Sequence, residues 1–345
     1  MFEAFHGNLP VQRALAQMLG SGRMPQTLLL CGPEGVGKAT LARRFAARLL
    51  GAPDKIEQDD LSLASNQALI TEREKWTSEK RSEDPLFFGT HPDFLTFPPE
   101  GPLRQLSIGQ MRLLRERAQL RPLHGDWRVF LIDHMDRANP QAADSLLKTL
   151  EEPPPHLVLF VTAENEYDLP VTIRSRSVQF HLGPLSSEEM KAFARERKLD
   201  HPDRRVALAA GCPGLAASID LAAFEKRRAT ALALLEAAAG VTPFATWAQK
   251  SESFLASKSE KLDLYFRLLY SLLNDILVLH SGGSQIRHAD LQEQLEKLSR
   301  RVSFDWLRQA AKGLDELVTL QRRNVQKGPS LDSFILQQRT LAGHR

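Results

Sequence analysis

Cysteine is scarce: the 345-residue chain carries two, Cys31 and Cys212. Four thiolates cannot be assembled from two, so a four-cysteine zinc module is excluded. Cys31 ends an apolar run, where a small buried residue is expected, and Cys212 sits in the turn sequence Gly-Cys-Pro-Gly. A disulfide between them is not expected in a reducing cytosol. Long apolar runs are missing as well. None approaches the ~20 residues of a membrane span, and the opening MFEAFHGNLPVQ lacks the basic-then-apolar order of a signal peptide. A cytoplasmic protein with no membrane partner is therefore expected. An excess of either charge is also lacking, since 45 basic and 42 acidic residues leave only +3. That balance excludes strong stand-alone binding to nucleic acid or membrane and leaves partners held by shape and local charge.

What is present suits a globular protein of two or three domains, with 42% hydrophobic and 25% charged residues. The organising stretch is residues 127–180. Two short apolar runs, 129–132 and 157–161, read as strands buried on both faces. Between them Asn139 caps a helix with Pro140 at its first position, and Ala143, Leu146, Leu147 and Leu150 form one apolar stripe. Pro153–Pro155 end it. Strand, crossover helix and strand predict a parallel sheet. Asp133 follows the first strand and Thr162 the second, while Arg174 and Arg176 precede a third, 177–181. Function in open α/β sheets gathers at the carboxyl ends of the strands, and all four polar residues are expected at or close to that edge.

Nearer the start, residues 11–20 read as a short helix and 27–31 as a strand. GPEGVGKAT follows, and a helix runs over 41–50 to Gly51. Strand, glycine-rich turn and helix are the setting in which a phosphate-loop spacing is meaningful. The spacing holds through Gly32, Gly35, Gly37 and Lys38, then fails at Ala39, where a hydroxyl should hold Mg²⁺. Thr40 is one step on, about 100° further round the helix, and cannot simply substitute. Hydrolysis is not expected of such a loop, and nucleotide binding is left open. Residues 52–90 read as a polar insertion, partly helical or disordered. His91 stands without companion ligands and reads as a turn residue, and Asp136 as a solvated turn acid. Ser107 caps a helix carrying Ile108, Met111, Leu114 and Ala118 on one face. Ser186 and Glu189 are spaced as a capping box. From about Phe224 the composition is helical, with Leu262, Phe266, Leu269, Leu273 and Leu277 on one stripe and further helices at 291–298, 304–321 and 331–338.

The wording DSLLKTLEEPPP and IRSRS, together with the phosphate-loop segment, resembles the clamp-loader branch of the AAA+ ATPases, with bacterial DNA polymerase III delta-prime subunits the closer match. The resemblance implies an α/β AAA+ domain over 1–183, a helical lid over 184–223 and an all-helical oligomerisation, or collar, domain over 224–345. The insertion at 52–90 would stand in place of the family's zinc module. Asp133 falls at the Walker B acid, but His134 replaces the glutamate that polarises the attacking water. Thr162 falls at the sensor position. Ser175-Arg176-Ser177 matches a Ser-Arg-Cys motif with serine in the cysteine position, and Leu215 stands where the second sensor carries arginine.

By that resemblance Gly32, Gly35, Gly37, Lys38, Thr40, Asp133 and Thr162 make a degenerate nucleotide site needing no cofactor or metal. Ser175, Arg176 and Ser177 would face a partner, with Arg176 acting on the neighbouring subunit's ATP. The implied role is a non-hydrolysing stator in a hetero-oligomer with loader ATPase subunits and a delta subunit, reaching the sliding clamp and primer-template DNA through that complex. Two rival readings are an active ATPase subunit of the same loader and a stand-alone AAA+ DNA-remodelling ATPase. Ala39, His134 and Leu215 weigh against both.

Overall fold

The computed structural model describes residues 2, 4–256, 262–322 and 327–342. Helix α1 (Leu9–Ser21) leads into strand β1 (Thr27–Cys31), and the glycine-rich turn delivers the chain into α2 (Lys38–Leu50), closed by Gly51 at φ 70°. The insertion is ordered into three short helices, α3 (Pro53–Glu57), α4 (Ala64–Arg73) and α5 (Ser78–Glu83). Then come β2 (Phe94–Phe97), α6 (Ile108–Ala118), β3 (Arg128–Ile132), α7 (Pro140–Glu151), β4 (Leu157–Ala163), α8 (Val171–Ser175) and β5 (Val178–His181).

The five strands form one parallel sheet of order β2-β3-β4-β1-β5. β1, β3 and β4 are buried along their whole length, as expected of strands covered on both faces. One apolar core, with Phe97, Met111, Phe130 and Leu146, lies on one face, and another, with Leu28, Leu41, Phe45 and Phe160, on the other. The expected caps are present: the Asn139 side chain accepts from Ala142 N at 2.8 Å, and Ser107 and Gln110 form a reciprocal capping box.

The insertion keeps its shape through a small apolar cluster of Ile70, Leu86 and Phe88, through charge and through one aromatic ring. Arg73 is buried and pairs with Asp84 and Glu100, and the Trp76 ring lies 4.2 Å from its guanidinium and 3.7 Å from the Lys80 ammonium. Burial pushes the Glu100 carboxyl above its ordinary range, against the pull of Arg73.

Three helices follow the sheet: α9 (Ser187–Glu196), started by the Ser186–Glu189 capping box, α10 (Pro202–Ala209) and α11 (Pro213–Ser218). Packing divides the chain into two compact units, Met1–Ser218 and Ile219–Arg345. The sequence expectation had breaks at 183 and 223. The three helices after β5 are joined to the sheet domain within the first unit. Asn8 bonds reciprocally with Gly183, the His6 ring meets Phe193 edge-on at 5.5 Å, and Gly214 N donates to Gly35 O at 2.8 Å. The second unit holds α12 (Leu221–Ala238), α13 (Phe244–Ala256), α14 (Leu262–His280), α15 (Gln292–Arg301), α16 (Phe304–Arg322) and α17 (Lys327–Ala342) around Trp247, Leu269, Leu272, Ile276, Leu314 and Ile335. Within the 224–345 span, residues 257–261, 323–326 and 343–345 lie outside the described residues. Among the described residues no helix is long and apolar enough to cross a membrane.

At the amino edge of the sheet, the fully buried Asp93 accepts from Leu123 N at 2.9 Å and His124 N at 2.8 Å, with Arg128 Nε at 3.6 Å. This carboxylate fixes the turn that feeds β3. Asp93→Ala removes the acceptor of two amides and the counter-charge of a buried arginine, so urea unfolding should show a loss of about 2–4 kcal/mol.

Candidate functional site

The glycine-rich turn has the spacing of a phosphate loop and is closed by contacts within the chain. Gly35 and Gly37 have φ of 77° and 107°, a region that favours glycine. Both are also tightly covered. A Cβ on Gly35 would lie 2.7 Å from Leu215 Cγ, and one on Gly37 would lie 2.9 Å from the Phe5 ring. Lys38 is only 6% exposed, and its Nζ donates to Gly32 O at 2.6 Å and Pro33 O at 3.0 Å. Burial pulls its pKa below the ordinary lysine value, and the nearby charges of Asp133, Glu164, Asp136 and Glu34 oppose that pull. Ala39 packs against the apolar core under α2. The Thr40 hydroxyl accepts from Arg43 Nη2 at 3.4 Å, while Arg43 also pairs with Asp60 of the insertion. Thr40 is thus engaged away from the position Ala39 leaves without a hydroxyl.

The parallel register sets Leu30 beside Thr162 and Ile132 beside Val161, which brings Lys38, Asp133 and Thr162 to one edge. Thr162 is the penultimate residue of β4, not the residue after it. Its hydroxyl donates to Asp133 Oδ1 at 2.7 Å and accepts from His134 N at 2.9 Å. That second bond holds His134 in the left-handed region at φ 54°. Asp136, expected in solvent, is mostly buried, at 13% side-chain exposure in the turn that follows. His91 is a satisfied turn residue whose Nδ1 accepts from Asp93 N at 3.1 Å.

The metal hydroxyl is absent at Ala39, Asp133 Oδ1 is spent on Thr162, Lys38 is spent on its own loop, and Leu215 and Phe5 lie on the glycines that should face the anion. Phe5 was not legible beforehand, because it lies more than thirty residues from the glycine it covers and carries no local signal.

Arg174 and Arg176 are placed differently from the expectation. β5 runs parallel to β1 with Val178 opposite Leu28, so the residues before Val178 stand at the amino edge. From there to the phosphate loop is the full length of β1, roughly 16 Å at 3.3 Å per residue. The sheet therefore separates these arginines from the Lys38 edge of their own chain. Arg176 ends α8, is exposed, and donates to Thr172 O at 3.3 Å and Glu151 Oε1 at 3.1 Å. Such a surface pair holds weakly, which leaves the guanidinium available to an outside anion. Ser175 Oγ and Ser177 Oγ donate to Thr172 O and Ile173 O, and the Arg174 guanidinium lies 5.2 Å from the Tyr167 ring.

A glycine-rich strand–turn–helix in a parallel sheet of order β2-β3-β4-β1-β5, carrying a small helical group after β5, defines an AAA+-type α/β domain. The family described as DNA polymerase III, delta subunit matches residues 8–186, just over half of the chain. The chain belongs to that family of clamp-loader proteins. It is 29% identical over 208 residues to DNA polymerase III subunit tau of Escherichia coli K12, covering 59% of this chain and 29% of tau. With subunit delta-prime of the same organism it shares 28% over 219 residues, 62% of this chain and 64% of the relative. The chain thus spans less than two thirds of either relative. A DNA polymerase III gamma subunit-related protein of Thermotoga maritima aligns over 95% of this chain and 99% of its own at 17% identity, with a TM-score of 0.47.

Thr162→Val keeps the shape of β4 and removes the hydroxyl shared by Asp133 and His134 N. The loss expected in urea unfolding is about 2 kcal/mol, with Thr162→Ser losing less.

Proposed function

We propose that the chain is a delta-prime-type stator of a DNA polymerase III clamp loader, a subunit that hydrolyses no ATP itself and completes a neighbour's site. One observation carries the reading: the Lys38 ammonium is satisfied by the carbonyls of its own loop, under Leu215 and Phe5. Phosphoryl transfer needs a metal hydroxyl, a water-polarising group and compensating charge, and Ala39, His134 and Leu215 supply none of these. On this reading the chain requires no cofactor.

Arg176 is the residue with a task in trans. It is exposed and lightly held, and it stands at the edge of the sheet away from its own phosphate loop. A neighbour's γ-phosphate, losing charge to the leaving group, is a suitable partner for a planar guanidinium fork. The helical unit Ile219–Arg345 is proposed as the collar that binds loader ATPase subunits and the delta subunit, and the assembled ring as what meets the sliding clamp and primed DNA. An active ATPase subunit is the alternative. Its support is that Lys38 and Asp133 still share one edge of the sheet.

Two outcomes test the proposal. The isolated full-length chain should show no steady-state ATPase that Lys38→Ala abolishes. Turnover near ~1 s⁻¹ that disappears in that variant would instead select the active subunit. In a loader reconstituted with its ATPase and delta partners, Arg176→Ala should leave assembly intact and slow one neighbouring site by about 10³–10⁵. Arg176→Lys should recover little, and Arg174→Ala should matter less. Unchanged clamp- and DNA-stimulated ATPase in an assembled Arg176→Ala complex removes the role in trans.

A further inference from the structure

Beside the closed loop, the same sheet edge holds a second group of polar side chains. His134, Asp136 and Glu164 bring one ligand atom each to within 4.8 Å of one another. They come from two segments, the turn after β3 and the residue directly after β4. His134 Nδ1 and Asp136 Oδ1 face each other at 3.9 Å, too long for a hydrogen bond, and each is a buried atom with no hydrogen-bond partner. Two buried polar atoms left in that state point to a shared ligand between them. The other ring nitrogen, Nε2, faces Asp133 Oδ2 at 4.0 Å. An imidazole whose far nitrogen is turned to a carboxylate is the usual orientation of a histidine that ligates a metal. The side chains of His134 and Asp136 are 17% and 13% exposed and that of Glu164 is 37%, so the group is lined on one side and open to solvent on the other.

We propose that His134, Asp136 and Glu164 form a binding site for a first-row divalent transition ion of the Zn²⁺ type. One imidazole nitrogen and two carboxylate oxygens, with a fourth position open to water, are N and O donors that zinc and its neighbours accept. Mg²⁺ is the wrong ion for an imidazole donor, since it prefers oxygen ligands in octahedral array. Its three ligands differ from the position-39 hydroxyl and the Walker B acid that a nucleotide's metal calls on, although Asp133 borders it. Two cations border it: Arg137 Nη2 lies 3.8 Å from Glu164 Oε1, and Lys38 lies within charge range of Asp136 and Glu164. Their positive charge weakens ion binding and sets the expected affinity at micromolar. Closing the ligand atoms, by up to about 1.5 Å for the widest pair, gives the ~3.3 Å spacing of a tetrahedral site with metal–ligand bonds near 2.0–2.1 Å. A bound ion would tie the turn after β3 to the residue after β4, bracing that edge of the sheet.

The test uses the full-length chain, stripped with chelator and titrated calorimetrically with ZnCl₂ alone. One equivalent should bind at micromolar affinity and raise the thermal midpoint, and millimolar Mg²⁺ should not compete. His134→Ala, Asp136→Asn and Glu164→Gln should each weaken binding at least about tenfold, as loss of a metal-site contact does. Glu164→Gln is exposed and conservative, so its circular dichroism should match the parent and its loss cannot be ascribed to misfolding. Diffraction at the zinc edge should place the ion between the three side chains. Absence of binding at submillimolar Zn²⁺ overturns the site. So does binding that all three variants leave unchanged, which would assign the ion to Cys31, Cys212 or other histidines.

Discussion

A lysine ammonium taken out of water has to find acceptors, because an unpaired buried charge costs several kcal/mol. Lys38 meets that demand with Gly32 O and Pro33 O, and the rest of the phosphate-loop edge follows. The carbonyls turned toward the ammonium fix the loop in a closed form. The closed form accepts Leu215 against Gly35 and Phe5 against Gly37. The link from Gly214 N to Gly35 O then joins the three-helix group to the sheet, which is why those helices share one compact unit with it. Across β4 the same edge is set by a second polar chain, from Asp133 through the Thr162 hydroxyl to His134 N. The loop keeps the glycines and the lysine of an anion site and uses them to hold itself shut.

Parallel strands impose the other constraint. Every strand in the sheet points the same way, so its two edges are chemically distinct and a strand length apart. Lys38, Asp133 and Thr162 collect at the carboxyl edge. The arginines before β5 collect at the amino edge, Arg176 bonded to Thr172 O and the Glu151 carboxylate and Arg174 set against the Tyr167 ring. A chain with this arrangement cannot bring Arg176 to its own loop without unfolding a strand. If Arg176 acts on a phosphate, that phosphate belongs to another molecule.

Much of this was legible in the sequence. The strand at 27–31 matches β1 residue for residue, and β3 and β4 follow from dense runs of Val, Leu, Ile and Phe. Asn139 and Ser107 mark helix starts because their side-chain oxygens accept from the backbone amides ahead. Ala39, His134 and Leu215 are each visible as a substitution in a spacing. What failed was long-range or directional. Placing Arg176 needs the direction of β5 and its partner, which periodicity does not contain. The covering of Gly37 by Phe5 depends on a contact between distant segments. Asp136 looks solvated in sequence, but the left-handed His134 turns the chain and buries it. The insertion shows little apolar period because its own apolar cluster is small, Ile70, Leu86 and Phe88, and the rest is held by Arg73, Asp84, Glu100 and the Trp76–Lys80 contact. Charge pairs between short helices leave no periodic trace.

The central claim is that this chain's own side chains occupy the place of a nucleotide. The most direct measurement is calorimetric titration of the isolated full-length chain with a non-hydrolysable ATP analogue and Mg²⁺, set beside the same titration of Lys38→Ala. The account predicts no binding heat in either. A saturable isotherm at micromolar affinity, lost in Lys38→Ala, would contradict it.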